Sequence, residues 1–251
     1  MIHLYGSLYI ADPWPAAYIK DLNALVIADL HLGIEGVLAN EGIFLPTKAS
    51  HKTIEIVCKS IENYNVNKII LVGDVKHGFG LLNTTEWLMV KKFIRDLKEK
   101  YNLDIVVIRG NHDNYLGVVL DKFNIPFYLR WDLKDYTFIH GHVDYELNEL
   151  NKIIIMGHEH PSIILHDDLG VRYKFKCFLW GEYRDRRILV LPSVNELATG
   201  SAISANLSRD LILSPILKKV DLNSFKPYPI IPGEIVRELP TLRDIAKIFS
   251  I

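Results

Sequence analysis

The sequence predicts an α/β fold, and two observations support this prediction. First, six short apolar runs rich in β-branched residues recur along the 251-residue chain, and polar residues follow them. Runs this apolar are typical of strands that are covered on both faces. Second, stretches with helical spacing separate the earlier runs, whereas the second half of the chain is richer in strands. One parallel sheet would need more helices between its strands, so the second half indicates more than one sheet.

The predicted helices and strands alternate through the first half of the chain. The N-terminal stretch MIHLYGSLYIADP predicts a short strand and a turn. The six apolar runs predict strands at residues 24–28 (ALVIA), 68–72 (KIILV), 104–108 (DIVVI), 136–140 (YTFIH), 152–156 (KIIIM) and 187–191 (RILVL). Helical spacing predicts two helices, which are marked by Ile54, Val57, Cys58 and Ile61 and by Trp87, Val90, Ile94 and Leu97. Asn83 or Thr84 is available to cap the second helix.

The C-terminal part of the chain differs in composition. We predict one domain over residues 1–251, with an extended, proline-rich tail from about residue 221. The prolines of the tail are Pro227, Pro229, Pro232 and Pro240, and its end is a short amphipathic turn of Leu242, Ile245, Ala246 and Phe249. Short amphipathic ends usually pack on their own core, and we expect this here. A contact with a second subunit is the alternative.

The composition excludes several classes of protein. Hydrophobic residues make up 49% of the chain and charged residues 24%, which is ordinary for a globular protein. The net charge of −1 argues against a surface that binds polyanions everywhere, but it is compatible with a local basic groove. Two distant cysteines, Cys58 and Cys177, argue against a disulfide framework. The sequence lacks the roughly 18-residue apolar run of a membrane span and the features of a signal peptide, so we predict a cytoplasmic protein.

Polar residues of a similar kind follow five of the predicted strands. These strand-end motifs are DLH (29–31), GDVKH (73–77), GNHD (110–113), HGH (140–142) and GHEH (157–160). They contain seven of the ten histidines of the chain. In open α/β sheets, ligands bind beyond the carboxyl ends of the strands. The strand-end motifs are therefore the first place to look for a functional site.

A metal site explains the five strand-end motifs together. Taken alone, an aspartate after a strand is more often a turn former or a helix cap, and the GHEH histidines could lie in a surface loop. Metal-ligand residue types at five consecutive strand ends, and almost nowhere else, are not expected by chance. Imidazole nitrogens with carboxylate oxygens suit Mn²⁺, Fe or Zn²⁺, and motifs without thiolates fit a catalytic rather than a structural zinc site.

The order of the motifs resembles the calcineurin-like metallophosphoesterase superfamily. The blocks D-x-H, G-D-x-x-H, G-N-H-D, H and G-H-x-H follow one another from Asp29 to His160, over more than half of the chain. Within that superfamily, the chain most resembles the archaeal phosphoesterases related to SbcD, a DNA-repair nuclease subunit. His77 closes the second block, LHLGIEGVLANEGIFLP (30–46) follows the first, and LPSVNELATGS (191–201) resembles a late element of that subfamily, with Ser201 where a second glycine is expected.

The resemblance implies a four-layer αββα sandwich, in which two mixed β-sheets are flanked by helices. It also implies two divalent cations, which we predict to be Mn²⁺, with Fe, Zn²⁺ or Ni²⁺ as alternatives. The implied ligands are Asp29, His31 and His160 for the first cation, Asn111, His140 and His158 for the second, and Asp74 as a bridge between them. Two cations about 3.5–4 Å apart clamp the attacking and leaving oxygens of an in-line displacement, and they acidify the water between them.

The other polar residues of the motifs are predicted to act beside the cations. By the resemblance, His112 is not a ligand, and we predict that it is the general acid that protonates the leaving alkoxide. His77 would orient His112, although it could instead only hydrogen-bond to a ligand. Asp113 would hold a ligand histidine or cap the following turn. Lys76 and His142 are candidates for contact with the substrate phosphate, and solvent-facing positions are the alternative.

The resemblance does not choose the phosphoester. The motifs contain no obvious arginine clamp for a dianionic monoester, so a phosphodiester suits the site better. We therefore expect a phosphodiesterase or exonuclease that acts on the ends of single-stranded DNA or RNA, with a role in DNA repair. A DNA-repair helicase and a second copy of the chain are the partners considered. The alternatives are a small-molecule phosphodiesterase or phosphatase acting on nucleotides or cyclic nucleotides and, from another class, a non-catalytic binding module.

The stretch YKFKCFLWGEY (173–183) and the arginines after it have two interpretations. Basic residues could track a nucleic-acid backbone while aromatic residues stack on bases. The residues concerned are Lys174, Lys176, Arg184, Arg186 and Arg187, with Tyr173, Phe175, Phe178, Trp180 and Tyr183 between them. We favour the second interpretation, which is a twisted hairpin with Gly181 near its turn.

Overall fold

The first of two β-sheets is built by the N-terminal half of the chain. The computed structural model describes residues 1–44, 48–80, 84–205 and 207–249. The strands of the first sheet are β1 (Ile2–Tyr5), β2 (Leu8–Ile10), β3 (Ala17–Ile19), β4 (Ala24–Ile27), β5 (Lys68–Val72), β6 (Asp104–Ile108) and β7 (Phe127–Tyr128), and they lie side by side in chain order. Strands β1 to β4 pair antiparallel, whereas β4 to β7 pair parallel, so the sheet is mixed.

The second sheet is also mixed. Its strands are β8 (Arg130–Leu133), β9 (Tyr136–Ile139), β10 (Ile153–Met156), β11 (Ser162–His166), β12 (Arg172–Tyr183), β13 (Arg186–Val190), β14 (Lys226–Ile231) and β15 (Ile235–Val236). Their order across the sheet is β15-β14-β12-β13-β10-β9-β8, and β11 pairs with the first half of β12. Strand β10 is parallel to both of its neighbours, β9 and β13. The strand-end motifs follow the parallel strands of both sheets. DLH, GDVKH and GNHD follow β4, β5 and β6, and HGH and GHEH follow β9 and β10.

Helices cover the outer faces of the two sheets. The α-helices are α1 (Ile34–Asn40), α2 (Lys48–Tyr64), α3 (Thr84–Glu99), α4 (Gly117–Leu120), α5 (Pro215–Lys218) and α6 (Leu242–Phe249). Short 3₁₀ turns lie at residues 20–22, 121–123, 147–149, 209–211 and 222–224. In the described part of the chain, none of these helices combines the length and the apolar character that crossing a membrane needs.

Three hydrophobic clusters separate four layers. Leu25 and Ile27 of β4 pack towards α2 and α3, whereas Val26 of the same strand packs between the sheets. Phe138 lies in the cluster between the sheets, and Ile154 packs on the far side of the second sheet with α5 and α6. Because successive side chains of a strand point to opposite faces, strands buried on both faces must be apolar throughout. The fold is therefore the predicted sandwich of two mixed sheets flanked by helices.

The six predicted strands are present as β4, β5, β6, β9, β10 and β13, within one or two residues of the predicted bounds. The two helices predicted from spacing are α2 and α3, and the N-terminal strand and turn open the first sheet as β1 and β2. Asn83 and the 45–46 end of the segment after the first motif lie outside the described residues. That the whole chain is one domain stays a prediction.

The proline-rich tail packs on its own chain. Strand β14 pairs antiparallel with β12, from Cys177 opposite Pro229 to Trp180 opposite Lys226. Leu242 of α6 is buried in the outer cluster, and Ile245 is partly buried against it. The side chain of Phe249 is outside the described part of the chain.

Strands β12 and β13 form the expected antiparallel hairpin, and Gly181 lies three residues before its turn at residues 184–185, where it pairs with Ile188. The role of this glycine, however, is in packing and not in the turn. A Cβ atom at Gly181 would lie 2.1 Å from the ring of Phe225. Glycine is needed here because an aromatic ring packs directly on the strand backbone.

Gly181→Ala should therefore destabilise the protein by overpacking, by about 1–3 kcal/mol in the free energy of unfolding. Phe225→Leu would make room for the added methyl group, so the double variant should lose less stability than the sum of the two single variants. Denaturant unfolding measures both effects. Gly117→Ala is the control, since its Cβ would meet the Phe127 ring only at 3.8 Å. Additive effects of Gly181→Ala and Phe225→Leu would contradict this packing argument.

Candidate metal centre

The strand-end motifs of the two sheets meet at one edge of the sandwich. The backbone N–H of Asp29, after β4, donates to the carbonyl of Gly73 after β5 at 3.1 Å. The N–H of His158, after β10 in the other sheet, donates to Asp29 Oδ2 at 3.1 Å. Side chains that are far apart in the sequence thus converge because parallel strands end at the same edge.

The first predicted ligand set comes together in the structure. Nε2 of His31 lies 3.4 Å from Nε2 of His160, and Nε2 of His160 lies 3.3 Å from Asp29 Oδ1. Asp74 Oδ2 lies 3.8 Å from the same nitrogen of His31. One ligand atom from each of these four residues lies within 4.8 Å of the others. This group could hold one cation.

The second predicted ligand set is next to the first. Nε2 of His140 lies 3.1 Å from Asn111 Oδ1 and 3.3 Å from Asp74 Oδ2. Asp74, His140 and His158 offer ligand atoms within 4.8 Å of one another. The Nδ1–H of His140 donates to the carbonyl of Val72 at 3.1 Å, which directs Nε2 and its lone pair to the cluster. Asp74 is thus common to both groups, as a bridging carboxylate must be.

The backbone of the cluster is strained. Five predicted ligands have positive φ angles, namely Asp29 (58°), His31 (43°), Asp74 (49°), His158 (68°) and His160 (45°). A non-glycine residue in this left-handed region costs of order 1–3 kcal/mol, and such residues gather at active sites. Gly110 also serves the site, because a Cβ there would lie 2.1 Å from Asp74 Oδ1. The local backbone is shaped to bring these side chains together.

The charges of the cluster suit cations. Burial disfavours ionised carboxylates, but the surrounding histidines together outweigh this effect. His160 and His140 lower the pKa of Asp29, and His140, with smaller contributions from His31 and His112, lowers the pKa of Asp74. Burial lowers the pKa of His31 to about 3 and that of His158 to about 4, so both imidazoles are neutral at pH 7 and keep a lone pair. Burial also opposes a charge on His140, but Asp74 and Asp29 together prevail and raise the pKa of His140 to about 9, so this imidazole must release a proton when it binds a cation.

The residues present therefore fit a pair of divalent cations. Carboxylate and amide oxygens with imidazole nitrogens suit Mn²⁺, Fe and Zn²⁺. His142 adds a further observation. Its ring lies beside those of His140 and His158, at centroid distances of 5.3 and 6.0 Å, and its Nδ1 is buried without a hydrogen-bond partner in the described part of the chain. A buried nitrogen without a hydrogen-bond partner at this place fits a site that also holds a group other than protein. Contact of His142 with phosphate stays a prediction.

His112 is held beside the cluster by the backbone of His77. The Nδ1–H of His112 donates to the backbone carbonyl of His77. The two rings stack at a centroid distance of 5.3 Å, and Nδ1 of His77 lies 3.2 Å from Nδ1 of His31. His31, His77 and His112 form a third group of ligand types within reach of one another. The catalytic roles of His77 and His112 stay predictions.

Lys76 is not placed as a phosphate contact. The side chain has no exposed surface, and its ammonium group donates to the carbonyls of Gly78 and Gly80. In the sequence, a lysine in a strand-end motif is a candidate anion ligand. The direction of its side chain could not be predicted, because residues of a loop lack the regular alternation of a strand or a helix. Lys76 thus fixes the backbone of the loop after β5.

Asp113 has neither of the two expected roles. Its buried carboxylate accepts from the backbone N–H groups of Gly110 at 2.8 Å, Val75 at 2.9 Å and Lys76 at 3.3 Å. It therefore joins the backbones of the GDVKH and GNHD motifs. The side chains of both motifs are positioned together as a result.

Two residues that the sequence analysis did not select support the first motif. Nδ2 of Asn195 donates to the carbonyls of Leu30 at 2.9 Å and His31 at 3.2 Å, and Oγ of Ser193 donates to the carbonyl of Asp29 at 2.8 Å. Both belong to LPSVNELATGS, whose resemblance to a subfamily element was the available signal. They position the left-handed backbone of the first ligand motif.

Asn195→Ala should weaken Mn²⁺ binding by about 10–100-fold, because residues that orient metal ligands typically contribute this much. Titration calorimetry of the metal-free protein with Mn²⁺ measures the effect. Asn151→Ala is the matched control: Nδ2 of Asn151 also donates to a backbone carbonyl, that of Tyr136 at 3.0 Å, but just before β10, at the opposite end of that strand from its metal ligands. Equal Mn²⁺ affinities for the two variants would contradict the positioning role.

The basic and aromatic segment around β12 does not form one surface. Phe178 is buried between the sheets. Lys174, near the start of β12, donates to the carbonyl of Gly200. Arg186 and Arg187 lie at the start of β13, beside the end of β12 that is far from Lys174. There Arg186 donates to the carbonyls of Leu150 and Asn148. The hairpin interpretation describes this segment better than a continuous nucleic-acid path.

Comparison with known proteins adds a family and a fold. The sequence model of the family described as calcineurin-like phosphoesterase matches residues 22–194, which include every predicted site residue. A comparison with curated proteins finds no match.

Several solved structures are similar to this chain. The nuclease MPE of Pseudomonas putida is 21% identical with a TM-score of 0.66, and the similarity covers 95% of this chain and 98% of that one. The phosphoesterase Yfce of E. coli is 16% identical over 87% of this chain and 98% of its own, with a TM-score of 0.43. The likeness to the Pseudomonas putida structure is one of fold.

Proposed function

Because this chain belongs to the calcineurin-like phosphoesterase family, we propose that it is a phosphodiesterase that uses two divalent cations to hydrolyse the ends of single-stranded nucleic acids. The observation that carries this proposal is the position of Asp74. Its carboxylate belongs to two adjacent groups of ligand atoms, one with Asp29, His31 and His160 and the other with His140 and His158. A shared carboxylate of this kind is the arrangement that two-metal hydrolysis requires.

The cations, when bound, would supply Lewis acidity, which makes water nucleophilic near neutral pH and offsets the charge that develops on the phosphate. The side chains of the chain do the rest. With Nδ1–H engaged by the carbonyl of His77, Nε2 of His112 is the atom left to give a proton to the leaving oxygen. This Nε2 lies 3.9 Å from Asp74 Oδ2, so it faces the cluster.

Two observations favour a nucleic-acid phosphodiester over a monoester. A dianionic monoester is usually clamped by cationic side chains, and the buried Lys76 gives its hydrogen bonds to its own loop. The Pseudomonas putida structure of similar fold is a nuclease, so nucleic acids are the first diesters to test. Mn²⁺ as the native metal, a role in DNA repair and a cytoplasmic location belong to the same proposal and rest on the sequence alone. A helicase partner and a homodimer are the partners considered, and no observation favours either.

A small-molecule phosphodiesterase or phosphatase is the second candidate. The net charge of −1 favours this candidate, because a long polyanion usually binds to a basic surface. Lys174 and the pair Arg186 and Arg187 are also too far apart along the β12–β13 hairpin to form one continuous basic surface. A nuclease that contacts several phosphates should lose affinity steeply with salt, whereas binding of a small ester should change little.

The deciding experiment compares end-labelled single-stranded oligonucleotides with cyclic nucleotides. Protein stripped with EDTA should be inactive, and added Mn²⁺ should restore release of nucleotides from the oligonucleotide ends. Faster hydrolysis of cyclic nucleotides, measured as kcat/KM, would favour the second candidate. No hydrolysis of any ester with Mn²⁺, including bis-p-nitrophenyl phosphate, would leave a binding module.

A further inference from the structure

An exposed aromatic ring lies directly on the proposed general acid. Phe79 lies two residues after His77 in the loop after β5, and this residue is 60% exposed. Its ring centroid lies 3.8 Å from that of His112, with the planes tilted by 31°. Isolated exposed hydrophobic residues are common, so exposure alone says little. The position of Phe79, between solvent and a residue beside the metal-ligand cluster, is what needs an explanation.

Side chains hold three consecutive backbone carbonyls at and beside Phe79. Nδ2 of Asn114 donates to the carbonyl of Phe79 at 3.1 Å, and Oδ1 of Asn114 accepts from Nη2 of Arg109 at 2.8 Å. The buried ammonium of Lys76 donates to the carbonyls on either side, those of Gly78 and Gly80. A loop backbone held in this way loses little conformational entropy when a ligand packs on the ring that it carries.

A nucleobase fits this surface. Bases stack on aromatic side chains in proteins that bind single strands, and this stacking tolerates any base because every base has a π face. Phe79 contacts His112, which would protonate the leaving oxygen, so Phe79 belongs to the leaving-group side of the scissile phosphate. Arg109, beside the same loop, is a cation at the rim that the sequence analysis did not select.

We propose that Phe79 is a stacking platform for the nucleobase on the leaving-group side of the scissile phosphate, so that the substrate must carry an unpaired base there. The proposal rests on the proposed function, because it specifies which part of a nucleic-acid end the site recognises. It makes Phe79 a determinant of specificity, in contact with substrate but not with the reacting atoms.

Abasic substrates test the proposal. Wild-type protein with Mn²⁺ is assayed on end-labelled oligothymidylates that are intact or that lack one base, either on the leaving-group side of the scissile phosphate or on the other side. Base loss on the leaving-group side should lower kcat/KM on the order of ten-fold, the scale of one base–aromatic stack. Phe79→Ala should show a similar loss on the intact oligonucleotide and no further loss on the abasic one, and Phe79→Trp should restore the preference.

Three controls separate the outcomes. The oligonucleotide that lacks the base on the leaving-group side still releases an alkoxide, which needs His112, but it has no base to stack, so Phe79→Ala should hydrolyse it like wild type. Methyl p-nitrophenyl phosphate, whose phenolate hardly needs the general acid, reports only whether the metal site is active. Tyr173→Ala removes another exposed aromatic residue, 48% exposed on β12, and should keep the preference for the intact oligonucleotide. An equal loss on the abasic and the intact oligonucleotides would mean that Phe79 only shields His112, and it would overturn the proposal. Wild-type protein that ignores the missing base would overturn it too. Hydrolysis of the methyl ester without cleavage of any oligonucleotide would instead refute the proposed function itself.

Discussion

Asp74→Asn is expected to abolish stable binding of the cation pair and to lower turnover by roughly three orders of magnitude. The substitution keeps the shape of the side chain and removes its charge. Asp74 is the carboxylate common to both ligand groups, with Oδ2 at 3.3 Å from His140 and 3.8 Å from His31. Each group would lose its shared anionic ligand at once, which no other single substitution in the cluster would do. Metal analysis after dialysis against Mn²⁺ and turnover of bis-p-nitrophenyl phosphate measure the two effects.

Asp104→Asn is the matched control for Asp74→Asn. Asp104 begins β6, its side chain is 62% exposed, and it pairs with Lys68 at 2.7 Å, so its loss should leave metal content and turnover unchanged. Asp29→Asn makes a finer comparison, because Asp29 belongs only to the first ligand group. We expect that variant to weaken one cation more than the other. An Asp74→Asn protein that keeps two Mn²⁺ ions and wild-type turnover would refute the bridging role.

Much of this fold could be predicted because the strands of the central layers are buried on both faces. Such strands cannot alternate between polar and apolar residues, so runs such as KIILV stand out, and their polar ends mark the edge where function gathers. The same logic located the ligand cluster. Asp29 and His158 belong to different sheets, and only the order of the motifs, with the resemblance it carries, indicated that they would meet.

Details that depend on the direction of a loop side chain could not be predicted. Lys76 belongs to the same motif as Asp74, yet its ammonium group donates to the carbonyls of its own loop. His77 supports His112 through a backbone carbonyl, which any residue type could supply. Gly181 lies near the turn of its hairpin as predicted, but the sequence does not show that its missing Cβ admits the ring of Phe225. In each case a distant contact, invisible in the local sequence, decides the role.

His112→Ala should separate metal binding from proton transfer. The two ligand groups that share Asp74 do not include His112, so the variant should bind two Mn²⁺ ions. Turnover of an oligonucleotide should fall by about 10²–10⁴-fold, the usual contribution of a general acid, because an alkoxide leaves poorly without a proton. Bis-p-nitrophenyl phosphate releases a stable phenolate, so its turnover should fall much less.

The comparison between the two esters is what identifies the general acid. If His112 instead supported the cluster, for example through its backbone N–H, which donates to Asp74 Oδ1 at 3.0 Å, both esters would lose turnover equally and Mn²⁺ content would fall. Alanine keeps that N–H, so the variant isolates the imidazole. His51→Ala is the control, since His51 is exposed on α2 and should affect neither ester.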